Sequence, residues 1–228
     1  MSFKTVMITG CDQGIGKALV QYYTKLKWNV IGTTRDPEEA EALREANARI
    51  VAMDVSDEVS ILNVAAHLAG ERIDVLINNA GIMIRGGLQN ISKKDLMDQL
   101  EVNAVGAFLV IQGFLPHLRS AVDKNGSALV INIGSRMGSI SENTSGGLYG
   151  YRASKAALHM LSVSLAVDLK HEHVAVVVVH PGKVETEMVA PGELTPVESA
   201  SMIAKLIDTV TMEDTGKFFH ANGTQLPW

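Results

Sequence analysis

What this 228-residue sequence lacks already narrows what it can be. It holds one cysteine, Cys11, so no internal disulfide can form, and Cys11 itself reads as a small residue filling a turn. No run approaches the roughly 20 uncharged apolar residues needed to cross a bilayer, the nearest candidate being residues 174–179. The opening MSFKTVMITG places a single Lys before a short apolar run that ends in a Gly turn rather than a small-residue cleavage site, so no signal peptide is read. Asn90, Asn143 and Asn222 match the glycosylation triplet, a chance match in a chain that never enters the secretory route. A soluble, cytoplasmic protein with no membrane partner is expected.

Other absences exclude whole chemistries. The 20 Lys and Arg residues are scattered and the net charge is −5, so the basic stripe of a nucleic-acid binder is missing. His67, His117, His159, His171, His173, His180 and His220 show no HExxH or comparable pairing; no metal site is expected, and most are read as surface or satisfied histidines. A serine hydrolase would need Gly-x-Ser-x-Gly, but Ile133 stands where the first Gly should be.

What is present is an alternation. Apolar, β-branched runs of strand length recur at residues 5–9, 29–33, 50–53, 75–78, 129–133 and 174–179. Between them lie segments with apolar spacing of three and four at 16–27, 37–47, 59–68, 92–118 and 149–170. Residues 196–210 suggest a last helix before a short strand around Phe218. Strands apolar on both faces, alternating with helices, indicate a parallel sheet covered on both sides, and right-handed crossovers then give an α/β doubly wound Rossmann fold. Six or seven strands are expected, in one domain spanning 1–228 with no linker or repeat.

The first strand runs into Thr9-Gly10-Cys11-Asp12-Gln13-Gly14-Ile15-Gly16, so three glycines fall where the chain turns from strand to helix. Such a turn lets backbone approach a ligand, and the helix that follows offers unpaired N–H groups to a pyrophosphate; Gly10, Gln13, Gly14, Ile15 and Gly16 are therefore candidate cofactor contacts. In a doubly wound sheet the ligand lies beyond the carboxyl ends of the strands. Those ends are Thr34-Arg35, Asp54-Val55 and Asn78-Asn79-Ala80-Gly81. An Arg there suits the 2′-phosphate of NADP, where an acid would suit NAD, so NADP(H) is expected over NAD(H). Asp36 either pairs with Arg35 or reaches the ribose.

Tyr151 and Lys155 open the helix after the fifth strand, four residues apart on one face. A phenol titrates near 10, and a nearby ammonium is expected to lower that value toward useful proton exchange. Tyr23 and Lys27 repeat the spacing on the first helix; that copy, far from the ligand end, is read as structural. Ser135 ends the fifth strand, where its hydroxyl can meet a substrate oxygen. Asn103 sits inside a long helix, an unfavourable place that suggests a specific role.

Together these residues resemble the short-chain dehydrogenases/reductases over essentially the whole chain: Thr-Gly-x3-Gly-x-Gly at 9–16, Asp54, Asn-Asn-Ala-Gly at 78–81, Asn103, Ser135, Tyr151 with Lys155, and Pro181-Gly182. The segments 135–139 and 148–152, with the ending 216–228, resemble the C-factor and sniffer-type carbonyl reductase branch. The resemblance implies that Tyr151 exchanges the proton, Ser135 orients the carbonyl oxygen, Lys155 binds the nicotinamide ribose, and Asn103 holds a water of a proton relay. It assigns Asp54 to the adenine ring and Asn79, Ala80 and Gly81 to the adenosine ribose region. Pro181, Gly182, Val184 and Thr186 fall to the nicotinamide side. It further implies a small carbonyl or alcohol substrate and a homodimer or homotetramer. Two departures stand out: Gln13 where NADP-using relatives often carry a basic residue, and Lys183 where branch relatives often have Trp. The expected function is an NADP(H)-dependent oxidoreductase; the alternative is an NADP(H)-binding regulatory protein with vestigial catalysis.

Overall fold

In the computed structural model, which describes residues 4–40 and 48–228, seven parallel strands form one sheet in the order β3-β2-β1-β4-β5-β6-β7. The strands are β1 (Thr5–Thr9), β2 (Asn29–Thr34), β3 (Arg49–Ala52), β4 (Val75–Asn78), β5 (Ala128–Ile133), β6 (Val174–His180) and β7 (Phe218–His220). Each matches an expected run within a residue or so at its ends. β1, β4 and all but the last residue of β6 are fully buried, as strands covered on both faces must be. β3, at the edge, is only half covered and does not share that pattern.

The helices are α1 (Gly14–Lys25), α2 (Glu58–His67), α3 (Lys93–Asn125), α4 (Tyr149–Leu169) and α5 (Pro196–Ile207). α1 and α5 cover one face of the sheet, burying Leu19, Val20, Ile203 and Ala204 against β1, β4 and β6. α2, α3 and α4 cover the other, with Ile61, Val110, Phe114 and Leu169 meeting the opposite side chains of the same strands. The helix expected at 37–47 falls largely outside the described residues; the described part holds a single 3-10 turn at Glu38–Ala40.

Two expectations change. The longest apolar stretch is not 174–179 but part of α3, which by length and composition alone could cross a membrane. Its Val110, Ile111, Phe114, Leu118 and Ala121 are instead buried in the core. The second Tyr-x-x-x-Lys spacing is not a helical pair: α1 ends at Lys25, Lys27 has left the helix at φ +61°, and Tyr23 packs its ring on Trp28 at 4.9 Å.

Candidate active site

The parallel order brings the carboxyl ends of β1, β4, β5 and β6 to one edge, where a cavity of about 990 Å³ opens. That volume lies at the upper end for ligand sites. Its walls include Arg35 and Asp54 from the ends of β2 and β3, and Ser135, Tyr151 and Lys155 from β5 and α4.

The turn after β1 is built by close backbone approach. Gly10 takes φ +63°, and a Cβ there would sit 2.8 Å from the Ala80 Cα. Gly16 does not reach the cavity wall, a correction to its place among the expected cofactor contacts. It lies beneath the turn, where a Cβ would fall 2.1 Å from the Gly10 carbonyl oxygen, so its role is to let α1 pack against the turn. Gln13 caps α1 without a side-chain bond and no acid occupies the first turn, leaving the helix N-terminus electropositive toward the cavity.

Asn79 is committed differently from its expected ribose contact. Its Nδ2 donates to the carbonyls of Thr9 at 3.0 Å and Gly10 at 2.8 Å, tying the end of β4 to the glycine turn, although the residue still lines the wall. Asp54 Oδ1 accepts from the Ser56 backbone at 2.9 Å and hydroxyl at 2.7 Å. Burial opposes its charge, but these bonds and nearby Arg35 keep the carboxyl below its ordinary value. Asp36 accepts from the Glu38 backbone at 2.9 Å, lies off the wall and forms no ion pair with Arg35. Across the cleft the Thr186 methyl approaches the Gly14 turn, and Thr186 closes its own turn by accepting from and donating to the Val189 backbone. Thr34, Val55, Ala80, Gly81, Pro181, Gly182 and Val184 also line the walls.

At the other end, the Ser135 hydroxyl stands beside the Tyr151 phenol, where it favours the charged form, and accepts from the Met137 backbone at 3.2 Å. The expected lowering of the phenol by Lys155 is not what this geometry gives. Burial raises Tyr151 above its ordinary value, and the opposing influence is the Ser135 hydroxyl. Lys155 Nζ lies over the phenol ring, 5.8 Å from its centre, and donates to the Ile133 carbonyl at 2.8 Å. Its own burial brings the amine down to about 8.

Asn103 lies in a π-helical turn, Glu101–Gly106, within α3 and is buried away from the wall. Its Oδ1 accepts from the Ile82 backbone at 2.7 Å; its Nδ2 donates to the Ile82 carbonyl at 2.8 Å and to Ser154 Oγ at 2.9 Å. The amide is thus spent on protein partners, and any water it supports must be met by its backbone.

Sequence reasoning missed two supports. Gln99, one turn before Asn103 and fully buried, accepts from the Ile84 backbone at 2.9 Å, so two amides spaced by four hold alternate residues of the strand-four loop. His159, one turn after Lys155, packs on Phe218 and Trp228 with ring centres 4.6 and 5.4 Å away and lies beneath Gly134 and Gly138. The spacings 99–103 and 151–155–159 were the available signals. The reading of most histidines as surface or satisfied leaves out three: His117, His159 and His180 each bury an Nδ1 atom without a partner among the described residues. Burial lowers His159 and His180 to about 3.

The sequence profile described as short chain dehydrogenase matches residues 4–195. A relative from Myxococcus xanthus named C-signal is 39% identical over 158 residues, covering 68% of this chain and 93% of that protein. Carbonyl reductase Sniffer of D. melanogaster superposes with a TM-score of 0.92 at 30% identity, covering 99% of this chain and 100% of that one. An NADPH-bound carbonyl reductase from chicken fatty liver gives 0.93 at 32% identity, with both chains fully covered.

Proposed function

This chain belongs to the short-chain dehydrogenase family and is an oxidoreductase, and we propose that it is an NADPH-dependent reductase of small carbonyl compounds acting through Tyr151, Ser135, Lys155 and Asn103. The observation that carries this reading is the half-buried phenol of Tyr151, set beside Ser135 on the wall of a large cleft that also holds Lys155. The NADP-bound state of the chicken liver reductase supports the same cofactor here.

The residues present fit a dinucleotide phosphate. The glycine turn admits a ligand close to backbone, the first turn of α1 carries no acid, and Arg35 lines the wall beside Asp54. Arg35 and Thr34 would hold the 2′-phosphate, Asp54 the adenine edge, and Gly10, Gln13, Gly14 and Ile15 the pyrophosphate. Val55, Asn79, Ala80 and Gly81 would border the adenosine side, and Pro181, Gly182, Val184 and Thr186 the nicotinamide. When bound, the cofactor supplies the hydride.

The protein's share is orientation and a proton. Burial keeps the Tyr151 phenol protonated, so it is a donor at neutral pH, and Ser135 holds the carbonyl oxygen beside it. Lys155, now bonded to the Ile133 carbonyl, would hold a ribose hydroxyl of the cofactor, and its charge would then favour the phenolate. Asn103 acts by fixing Ile82 and Ser154. Substrate identity within the carbonyl class, a cytoplasmic location and a homodimer or homotetramer belong to the same proposal.

The regulatory alternative draws on the relative named C-signal. NADPH consumption with a panel of quinones, dicarbonyls and aldehydes separates the two. Turnover that Tyr151→Phe reduces at least about a thousandfold, with NADPH binding retained, supports the reductase. Tight NADPH binding without turnover on any carbonyl would support the regulator.

A further inference from the structure

Between Tyr151 and Lys155 stands a second basic residue, Arg152, which the catalytic set does not use. Its guanidinium reaches back over the start of α4. Nε donates to the Gly146 and Gly147 carbonyls, each at 3.2 Å; Nη2 donates to Ser145 Oγ at 2.8 Å, and Nη1 to the Met137 carbonyl at 3.4 Å. One side chain thereby joins the segment that follows Ser135 to the turn that precedes Tyr151.

That turn has an unusual backbone. Gly146, Gly147 and Leu148 follow one another in the left-handed region, at φ +61°, +67° and +46°. Two glycines enter it freely, but a leucine does not, so its surroundings must hold Leu148 there. The Gly146 and Gly147 carbonyls, immediately before it, are the groups Arg152 fixes. Leu148 consequently lines the cavity along with Met137, close to Tyr151 and Ser135.

We propose that Arg152 is a positioning residue that determines substrate specificity: by pinning the 145–147 turn and the Met137 carbonyl together, it sets the distance between the Leu148 and Met137 walls of the substrate end. The proposal rests on the carbonyl-reductase reading of the site. A guanidinium suits this task because its planar fork serves several acceptors on two segments at once, which an ammonium on a flexible stem does not.

Arg152→Lys in the full chain tests it, with two readouts. Backbone amide exchange of the free protein should quicken about tenfold at residues 145–149 while β5 keeps its protection; an unchanged turn overturns the proposal whatever the activity. With NADPH, kcat/KM for compact butane-2,3-dione should fall about tenfold, through KM, while that for bulky 9,10-phenanthrenequinone changes less than about threefold. Leu148→Gly, which the left-handed backbone accepts without strain, should reproduce the same selectivity change. Equal losses on both carbonyls, a loss confined to kcat, or weakened NADPH binding would overturn the specificity role. Wild-type protein inert on both carbonyls would overturn the reductase reading, and the exchange result would still decide whether Arg152 holds the turn.

Discussion

Lys155 Nζ stands 5.8 Å from the centre of the Tyr151 ring yet gives its hydrogen bond to the Ile133 carbonyl, at 2.8 Å. The amine is buried, burial brings its pKa down to about 8, and its charge is a cost to the fold.

Lys155→Met should therefore separate stability from activity. The folded chain binds this proton more weakly than the unfolded chain, so the penalty is complete below about pH 8 and is relieved as pH rises toward 10.5. The shift corresponds to roughly 3 kcal/mol, part of it offset by leaving the Ile133 carbonyl unpaired. The variant should melt a few degrees higher than wild type at pH 7, with the gap closing above pH 8, while turnover drops at least about a hundredfold. A lower melting temperature at pH 7 would contradict the burial cost.

Arg35→Ala addresses cofactor choice. Loss of a charge-assisted contact with the 2′-phosphate should weaken NADPH binding by about tenfold to a hundredfold, and NADH binding by less than about twofold. Fluorescence titration with both nucleotides measures the difference, and equal effects would remove Arg35 from the phosphate site.

Acid stability should depend on two buried imidazoles. His159 and His180 are each brought down to about 3, so between pH 6.5 and 3 the unfolded chain binds more protons and stability falls with pH. At pH 5 each should cost about 2 kcal/mol relative to pH 7. Urea unfolding at the two values should show this loss, and His159→Phe should roughly halve it. An unchanged slope in that variant would show that His159 takes up no proton on unfolding.

Cys11 should be chemically silent. Burial pushes its thiol up to about 12, and its sulfur packs against Gly32 beneath the turn. Iodoacetamide at pH 8 should leave the native protein unmodified, and Cys11→Ser should retain turnover within about threefold. Rapid alkylation without unfolding would show a reactive site instead.

The strands were legible because each is a short apolar run, the central ones buried on both faces, and the cavity edge followed from the rule that such sheets bind beyond their carboxyl ends. The glycine turn and the Tyr151–Lys155 pair are local patterns, readable within one turn of chain. The π-helical turn around Asn103 was visible only as a misplaced amide, since a helix of altered pitch leaves the same apolar spacing.

Sequence alone determined the strand-helix alternation, the glycine turn after the first strand and the spacing of phenol and amine, because each depends on residues near one another along the chain. Tertiary structure alone decided what those groups touch. Asn79 is turned onto Thr9 and Gly10, Asn103 onto Ile82 and Ser154, and Arg152 onto the 145–147 turn and Met137, because polar groups withdrawn wholly or partly from water take whatever partner the packing brings near.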